Sequence, residues 1–446
     1  MSFIYDRLYG KLEFPKIIGD LLNCPGLLRL REIGMGNIKF ISFPSFSAVT
    51  RYEHSLGVCH LADLASKSLN LSEKDRMELM IAALYHDVTT PPFAHAMEEI
   101  LKSYYGFDHE RHFFDLIVGR SEDLGKSYAQ IFQGRALKLP KLCQSVQARR
   151  IGIDLFRIPE LVFGKENDTL SSLICGDIDL DNIDNVVRAS SAMGIAGADK
   201  HLAEALAKSF VFFKGEEVAI SESAKSFVEK WKRLREIQYD MILCSIDDFS
   251  LQTMLKHVLR YLIESADENV QLREEDWKLT EEEILKKIGE HPDAREVYRR
   301  MQLKDLYECL NLVWIKGPGV LEYIENKKTR QKLEKISEDV LHVRTISNYY
   351  LDKRQRDIQR LFVFFNNVYQ PERRSLKEPA LLVGFFTPDR VDFVDKNAEK
   401  KFIDKQRKKE FIDRLGEELP DYLSLYNVKI VTQNRYPQIR LGVRIK

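Results

Sequence analysis

The chain has little that would tie it to a membrane, a polyanion or an oxidising compartment. Acidic and basic residues balance, 68 Lys and Arg against 68 Asp and Glu. No global field therefore draws it to nucleic acid or to an anionic bilayer, and any anion site must be a local patch. No uninterrupted apolar run is long enough to span a bilayer. The start, Met-Ser-Phe-Ile-Tyr-Asp-Arg, lacks the basic segment and apolar stretch of a secretory signal. The six cysteines (24, 59, 143, 175, 244 and 309) are scattered and form no CxxC pair. They read as reduced thiols of a cytoplasmic protein, not as a disulfide framework. No internal repeat and no low-complexity tract interrupts the chain. What remains is an ordinary globular balance, 44% hydrophobic and 30% charged over 446 residues, enough for two or three domains.

Histidine is the residue whose placement is uneven. Six of the ten (54, 60, 86, 95, 109 and 112) fall within sixty residues. Arg51-Tyr-Glu-His54-Ser-Leu-Gly57 is followed by Leu84-Tyr-His86-Asp87, and later by Gly176-Asp177-Ile-Asp179-Leu-Asp181-Asn-Ile-Asp184. One His, a His-Asp doublet and a distant Asp make a ligand set for a hydrolytic divalent ion. Imidazole with carboxylate suits Mn, Fe, Zn or Co, with positions left for water and substrate.

Apolar spacing at Met77, Met80, Ile81 and Leu84 predicts a helix over about 74–86, with Ser72 as its N-cap. Pro91-Pro92 must end it, which places His86 and Asp87 at a helix C-terminus, where two adjacent side chains can reach one ion. A helix over about 52–69 carries His54, and another starts near Thr169 and runs into the Asp cluster. Helices are also predicted over 220–265, 278–290, 297–312 and 328–341, with 262–282 as a solvated acidic connection. Runs at 360–365, 380–386 and 428–432 read as strands, and 397–419 as a charged helix. The basic triplets around 400 and 408 read as a solvated helix face. The fold class expected is mainly α: a helical core over 1–265, a helical extension over 266–345 and a small α+β region over 346–446.

These blocks, with Arg29-Leu-Arg31, Phe43-Pro44, Pro92-Phe-Ala-His95, Asp108-His109-Glu110 and Asp179 through Arg188, resemble the HD-domain metal-dependent phosphohydrolases. The closest likeness is to the deoxynucleoside triphosphate triphosphohydrolases, over roughly residues 1–260. The resemblance implies one divalent transition metal held by His54, His86, Asp87 and Asp181, with additional Mg accompanying the nucleotide as an option. It implies His109 near the scissile phosphate, His95 near the triphosphate, and substrate contacts from Arg51, Tyr239 and the position of Asn185. The reaction implied is attack on the α-phosphorus, releasing nucleoside and tripolyphosphate. A homo-oligomer, dimer or tetramer, and an allosteric nucleotide belong to the same expectation. The chain also departs from the family's pattern. Thr90 stands where a proton-donating histidine is usual, Met35 replaces a glutamine, and Asn182 and Asn185 replace a basic residue and a tyrosine. Asn23 and Leu28 replace polar residues of a guanine-binding regulatory site. His60, His112, His201, His257, His291 and His342 read as structural.

Overall fold

Thr50 sets the start of the helix that carries His54. Its hydroxyl accepts from the Glu53 backbone N–H and the Glu53 carboxylate accepts from the Thr50 N–H, a reciprocal cap that opens α1 (Arg51–Ser68). The computed structural model describes residues 2–39, 43–120, 145–164, 168–176, 178–213, 217–351, 361–365, 368–372, 380–392, 401–431 and 438–444. Cys143, Asp177 and residues 360, 397–400 and 432, named above, lie outside these. Ser72 caps α2 (Glu73–Tyr85), and the helix stops with His86 as its C-cap. A short turn follows, in which the Val88 N–H donates to the Tyr85 carbonyl and the Thr90 N–H to the Asp87 carbonyl. Next come α3 (His95–Tyr105) and α4 (His109–Ile117). Asp179 caps α5 (Leu180–Ala192), which lies against α1. α6 (Lys225–Cys244) packs on α5, and α7 (Ile246–Ile263) runs beside α3. α8 (Glu281–Glu290) and α9 (Pro292–Gln302) complete this helical layer.

A five-stranded antiparallel sheet closes one side. With β1 (Ser2–Asp6) and β2 (Gly10–Phe14) forming an N-terminal hairpin, and β3 (Phe210–Phe213) and β4 (Glu217–Ser221) a second, the sheet begins at β5 (Glu308–Lys316). Its other members are β6 (Ile346–Leu351), β9 (Ala380–Thr387), β10 (Ser424–Val431) and β11 (Gln438–Arg444), in the order β11-β10-β5-β9-β6. β7 (Leu361–Phe365) and β8 (Val368–Glu372) pair with the second hairpin instead, giving a four-stranded sheet β3-β4-β8-β7. α10 (Val320–Glu325), α11 (Lys327–Leu341) and α12 (Lys405–Glu418) lie on the far side of the five-stranded sheet. The fold is mainly α with a smaller β component, as expected.

Three local expectations need correction. The helix read from Thr169 into the aspartate cluster ends at Cys175, and a separate helix starts after its cap, Asp179. The helix read over 297–312 ends at Gln302, Lys304 takes a left-handed φ of 57°, and 308–316 is the central strand β5. Leu312 and Trp314 face the helical core while Val313 and Ile315 face the second core, so both faces are apolar and the period-2 signal is hidden. The acidic connection over 262–282 is not merely solvated, because Val270, Leu272 and Trp277 are buried in it. Strand pairing also joins the stretch read as a helical extension to the α+β stretch. Among the described residues no helix is long and apolar enough to cross a membrane.

Candidate metal centre and cavity

α1, the end of α2 and the first turn of α5 converge on one point. His54 Nε2 lies 3.2 Å from His86 Nε2 and 2.9 Å from Asp181 Oδ1, and His86 Nε2 lies 3.7 Å from the same oxygen. Asp87 Oδ2 stands 3.9 Å from His54 Nε2 and 3.6 Å from His86 Nε2. The other nitrogen of each ring is occupied. His54 Nδ1–H donates to Asp184 Oδ2 at 2.8 Å and His86 Nδ1–H to the Ala83 carbonyl at 2.8 Å. Both Nε2 lone pairs therefore face the shared point, as ligating imidazoles require. Burial favours the neutral ring, but Asp181 and Asp184 outweigh it and lift the His54 pKa to about 9. Burial also opposes charge on His86, and Asp87 and Asp181 override it in the same direction. The same carboxylates would favour a divalent cation at that point. Two imidazoles and two carboxylates fit the expected transition metal, and His54, His86 and Asp181 form a compact ligand group.

The choice among the clustered aspartates is made by the other jobs they do. Asp179 accepts the Asn182 backbone N–H at 2.6 Å as the helix cap. Asp184 is wholly buried and holds His54, while Tyr9 Oη (2.7 Å) and Arg188 Nε (2.8 Å) donate to it, and Arg188 in turn reaches Asp6. Among the described aspartates of the cluster, Asp181 faces both Nε2 atoms. Asp184, Arg188, Tyr9 and Asp6 are the supporting shell that sequence reading missed. Asp184 and Arg188 were quoted within a matching block without a role.

Asp87 is fixed at both oxygens, by Arg51 Nη1 at 2.7 Å and by the Thr90 hydroxyl at 3.0 Å. The expected substrate residue Arg51 and the expected catalytic residue Thr90 thus both touch Asp87, one of the expected ligands. Arg29, fully buried, donates to the Val88 and Thr90 carbonyls from one nitrogen and to the Trp277 and Leu279 carbonyls from another. It clamps the turn that carries Asp87, another role the sequence did not announce. His95 and His109 share one carboxylate. Glu98 Oε2 lies 3.0 Å from His95 Nδ1 and Oε1 3.3 Å from His109 Nδ1. Burial opposes charge on His109, and the Glu98 bond and charge raise its pKa above the ordinary value. Phe93 and Ala94, just before His95, have φ of 57° and 47°, a costly conformation for residues with a Cβ.

A cavity of about 630 Å³ is lined by Met35, His95, Glu98, Asn182, Asn185, Arg235 and Tyr239, and extends to Lys256, Arg330 and Tyr350. Asn185 lies one turn along α5 from Asp181, so ligand helix and cavity wall are the same element. Arg235 lies over the Tyr239 ring at 4.6 Å. The structure therefore gathers His95, Asn185 and Tyr239 on the cavity, and His54, His86, Asp87 and Asp181 at the candidate metal centre. Arg51 and Thr90 sit behind Asp87.

A family model described as HD domain matches residues 51–145. The chain is 34% identical over 120 residues to the deoxynucleoside triphosphate triphosphohydrolase SAMHD1 homolog of Dictyostelium discoideum, covering 24% of this chain and 23% of that one. It is 35% identical over 105 residues to the deoxynucleoside triphosphate triphosphohydrolase SAMHD1 of Bos taurus, 22% of this chain and 18% of that one. The match thus spans less than a quarter of these relatives' length. An uncharacterized protein of Methanocaldococcus jannaschii is 24% identical over 198 residues, 44% of this chain and 35% of its own. The crystal structure of a hypothetical protein from Aquifex aeolicus superimposes with a TM-score of 0.61 at 19% identity, covering 86% of this chain and 96% of that one. That likeness extends the shared fold well beyond the HD segment. Residues 51–145 are thus similar to the HD domain, and the partial matches to the triphosphohydrolases are similarities over 22–24% of this chain.

Proposed function

We propose that the protein hydrolyses nucleoside triphosphates, deoxynucleotides foremost, to nucleoside and tripolyphosphate. The observation that carries the reading is the His54–His86–Asp181 group, with Asp87, on a helix that also walls a nucleotide-sized cavity. The names of the partial relatives supply the substrate class. A divalent ion held by the four ligands supplies Lewis-acid activation of water and neutralises phosphoryl charge. The protein's own groups do the rest. Asp184 and the Ala83 carbonyl orient the imidazoles, while Arg51 and Thr90 hold Asp87 in place. His109, whose pKa is raised by Glu98, gives its proton to the leaving 5′-oxygen, a contribution of about 10²–10⁴-fold for a positioned acid. Arg235 holds phosphate oxygens through charge-assisted bonds, and Asn185 and Tyr239 meet the sugar and its neighbours. Thr90 acts through Asp87 and is a positioning residue. A homo-oligomer in the cytoplasm and the divisions near 265 and 345 remain part of the same proposal.

The test is incubation with the four dNTPs and four NTPs, and with their monophosphates, in Mn, Mg or Co and oxygen-18 water. Phosphorus NMR should show label in tripolyphosphate. Label in a nucleoside monophosphate, pyrophosphate or orthophosphate would sink the reaction, and turnover of monophosphates alone would make the protein a phosphomonoesterase. Tight binding without product would mark a nucleotide sensor, the reading favoured by Thr90 standing where an acid is expected.

A further inference from the structure

One short turn joins the two parts of the site. It leaves Asp87 at the candidate metal centre and ends at His95, which lines the cavity. The cavity end of the turn is strained. Phe93 and Ala94 both take positive φ, and Ala94, at the N-cap of α3, has no side chain that could cap the helix. Residues with a Cβ keep such a backbone only where their surroundings over-determine it. α3 carries both His95 and Glu98, so the backbone of two residues sets where that cavity wall stands.

Two side chains tie this turn to residues 277–281, which lie outside the matched HD segment. At the metal end, Arg29 joins the Val88 and Thr90 carbonyls to those of Trp277 and Leu279. At the cavity end, the Glu281 carboxylate accepts a hydrogen bond from the Phe93 backbone N–H. Its Oε1 also accepts from the Gly34 N–H at 2.8 Å. A Cβ at Gly34 would lie 3.3 Å from that oxygen, so glycine eases the close approach. Gly34 is bridged to Thr50, and its neighbours pair alongside: the Met35 N–H donates to the Val49 carbonyl and the Arg51 N–H to the Ile33 carbonyl. Glu281 thus fastens the run leading into α1 and the turn leading into α3 to one group. Met35 and His95, just beyond those two bonds, both line the cavity. Thr280 and Glu283 close a capping box on α8, which fixes the first helical turn that carries Glu281.

We infer that Glu281 is a positioning residue for His95: by holding Phe93 in its left-handed conformation, it sets where α3 presents that imidazole to the cavity. Arg29 serves the metal end of the same turn and Glu281 the cavity end. Loss of Glu281 therefore lets Phe93 and Ala94 relax and moves His95, while the metal ligands stay in place. The inference rests on the nucleotide reading for what His95 does, and on geometry alone for how it is held.

The test follows the His95 ring signal by NMR of the histidine-labelled full chain holding Zn, a diamagnetic ion. Wild type, Glu281→Ala and Glu281→Gln are compared, each first checked for folding by circular dichroism and for unchanged metal content. Glu281→Gln keeps the size and one accepting oxygen, so it serves if Glu281→Ala fails to fold. Expected is a shifted His95 signal, with that of His60, packed on Tyr9 and Glu204, left where it was. In parallel, kcat/KM for the best dNTP with Mn should fall about tenfold, the size of one strained residue's release. In a His95→Ala background, removing Glu281 should cost no further activity. A group that only stabilised the fold would give losses that add. An unmoved His95 signal, or additive losses, would overturn the role of Glu281. A wild type that hydrolyses no nucleotide would overturn the nucleotide reading, and the His95 signal would still decide the positioning role.

Discussion

His54 is gripped at both ring nitrogens, and the two grips do different work. The bond from Nδ1 to Asp184 fixes the tautomer, and Nε2 is left for the ion. Asp184→Asn should keep the shape but weaken the acceptor, lowering metal affinity about 10–100-fold in a metal titration. His86→Ala with Asp87→Ala should abolish bound metal by elemental analysis. An unchanged content would remove both from the ligand set. Glu98 gives a second residue-scale prediction. Burial lowers the His109 pKa and Glu98 more than restores it, so the folded value lies above the ordinary one. A group raised in this way is protonated at low pH and loses its proton as pH climbs through the folded value. If the protonated ring is the acid, activity should fall on the alkaline side through that titration. Glu98→Gln removes the raising cause and should move the alkaline limb to lower pH. His109→Gln should cut single-turnover rate by at least about tenfold with metal retained. A wild-type rate in that variant would exclude His109 as the donor.

At the scale of elements, α1 and α5 must approach closely for His54 to meet both Asp181 and Asp184. Gly57 permits this. A Cβ built there would lie 2.0 Å from Asp184 Oδ1 and 2.5 Å from Arg188 Nη2. Gly57→Ala should therefore push α5 outward, costing about 1–3 kcal/mol from overpacking. Thermal melting would show that loss, and metal titration a weaker site as Asp184 leaves His54. A variant as stable and as metal-competent as wild type would show that the helices have slack. The caps at Thr50, Ser72 and Asp179 set where these helices begin, and their patterns were legible in part: Ser72 was read correctly, whereas Asp179 was seen only as a rival ligand. The cap and the ligand look alike in a run of aspartates, and only the position of His54 separates them.

Across the whole molecule, the five-stranded sheet is where the sequence was least informative. β5 is a short apolar run buried on both faces, and such a run has no alternation to distinguish it from the end of an amphipathic helix. Lys256 and Arg330, which meet on Glu99, are 74 residues apart in the chain, and no local pattern could pair them. Assembly belongs to this scale too. Light scattering at micromolar protein, with and without mixed dNTPs, should give the mass of a dimer or tetramer, and a monomer under both conditions would contradict the expected homo-oligomer.

By itself the sequence determined the mainly helical fold class and the end of α2 at His86-Asp87, because caps, prolines and helical spacing are local physics, and it offered the residue types of a candidate metal centre. Only the tertiary structure decided which aspartate of the cluster faces the histidines, since Asp179 caps, Asp184 supports His54 and Asp181 is left to face the centre. Likewise it placed Thr90 and Arg51 on Asp87, and brought α6, α7, α11 and β6 around one cavity. Those outcomes depend on which side chains meet across tens to hundreds of residues, and contact at that range is set by packing, not by spacing along the chain.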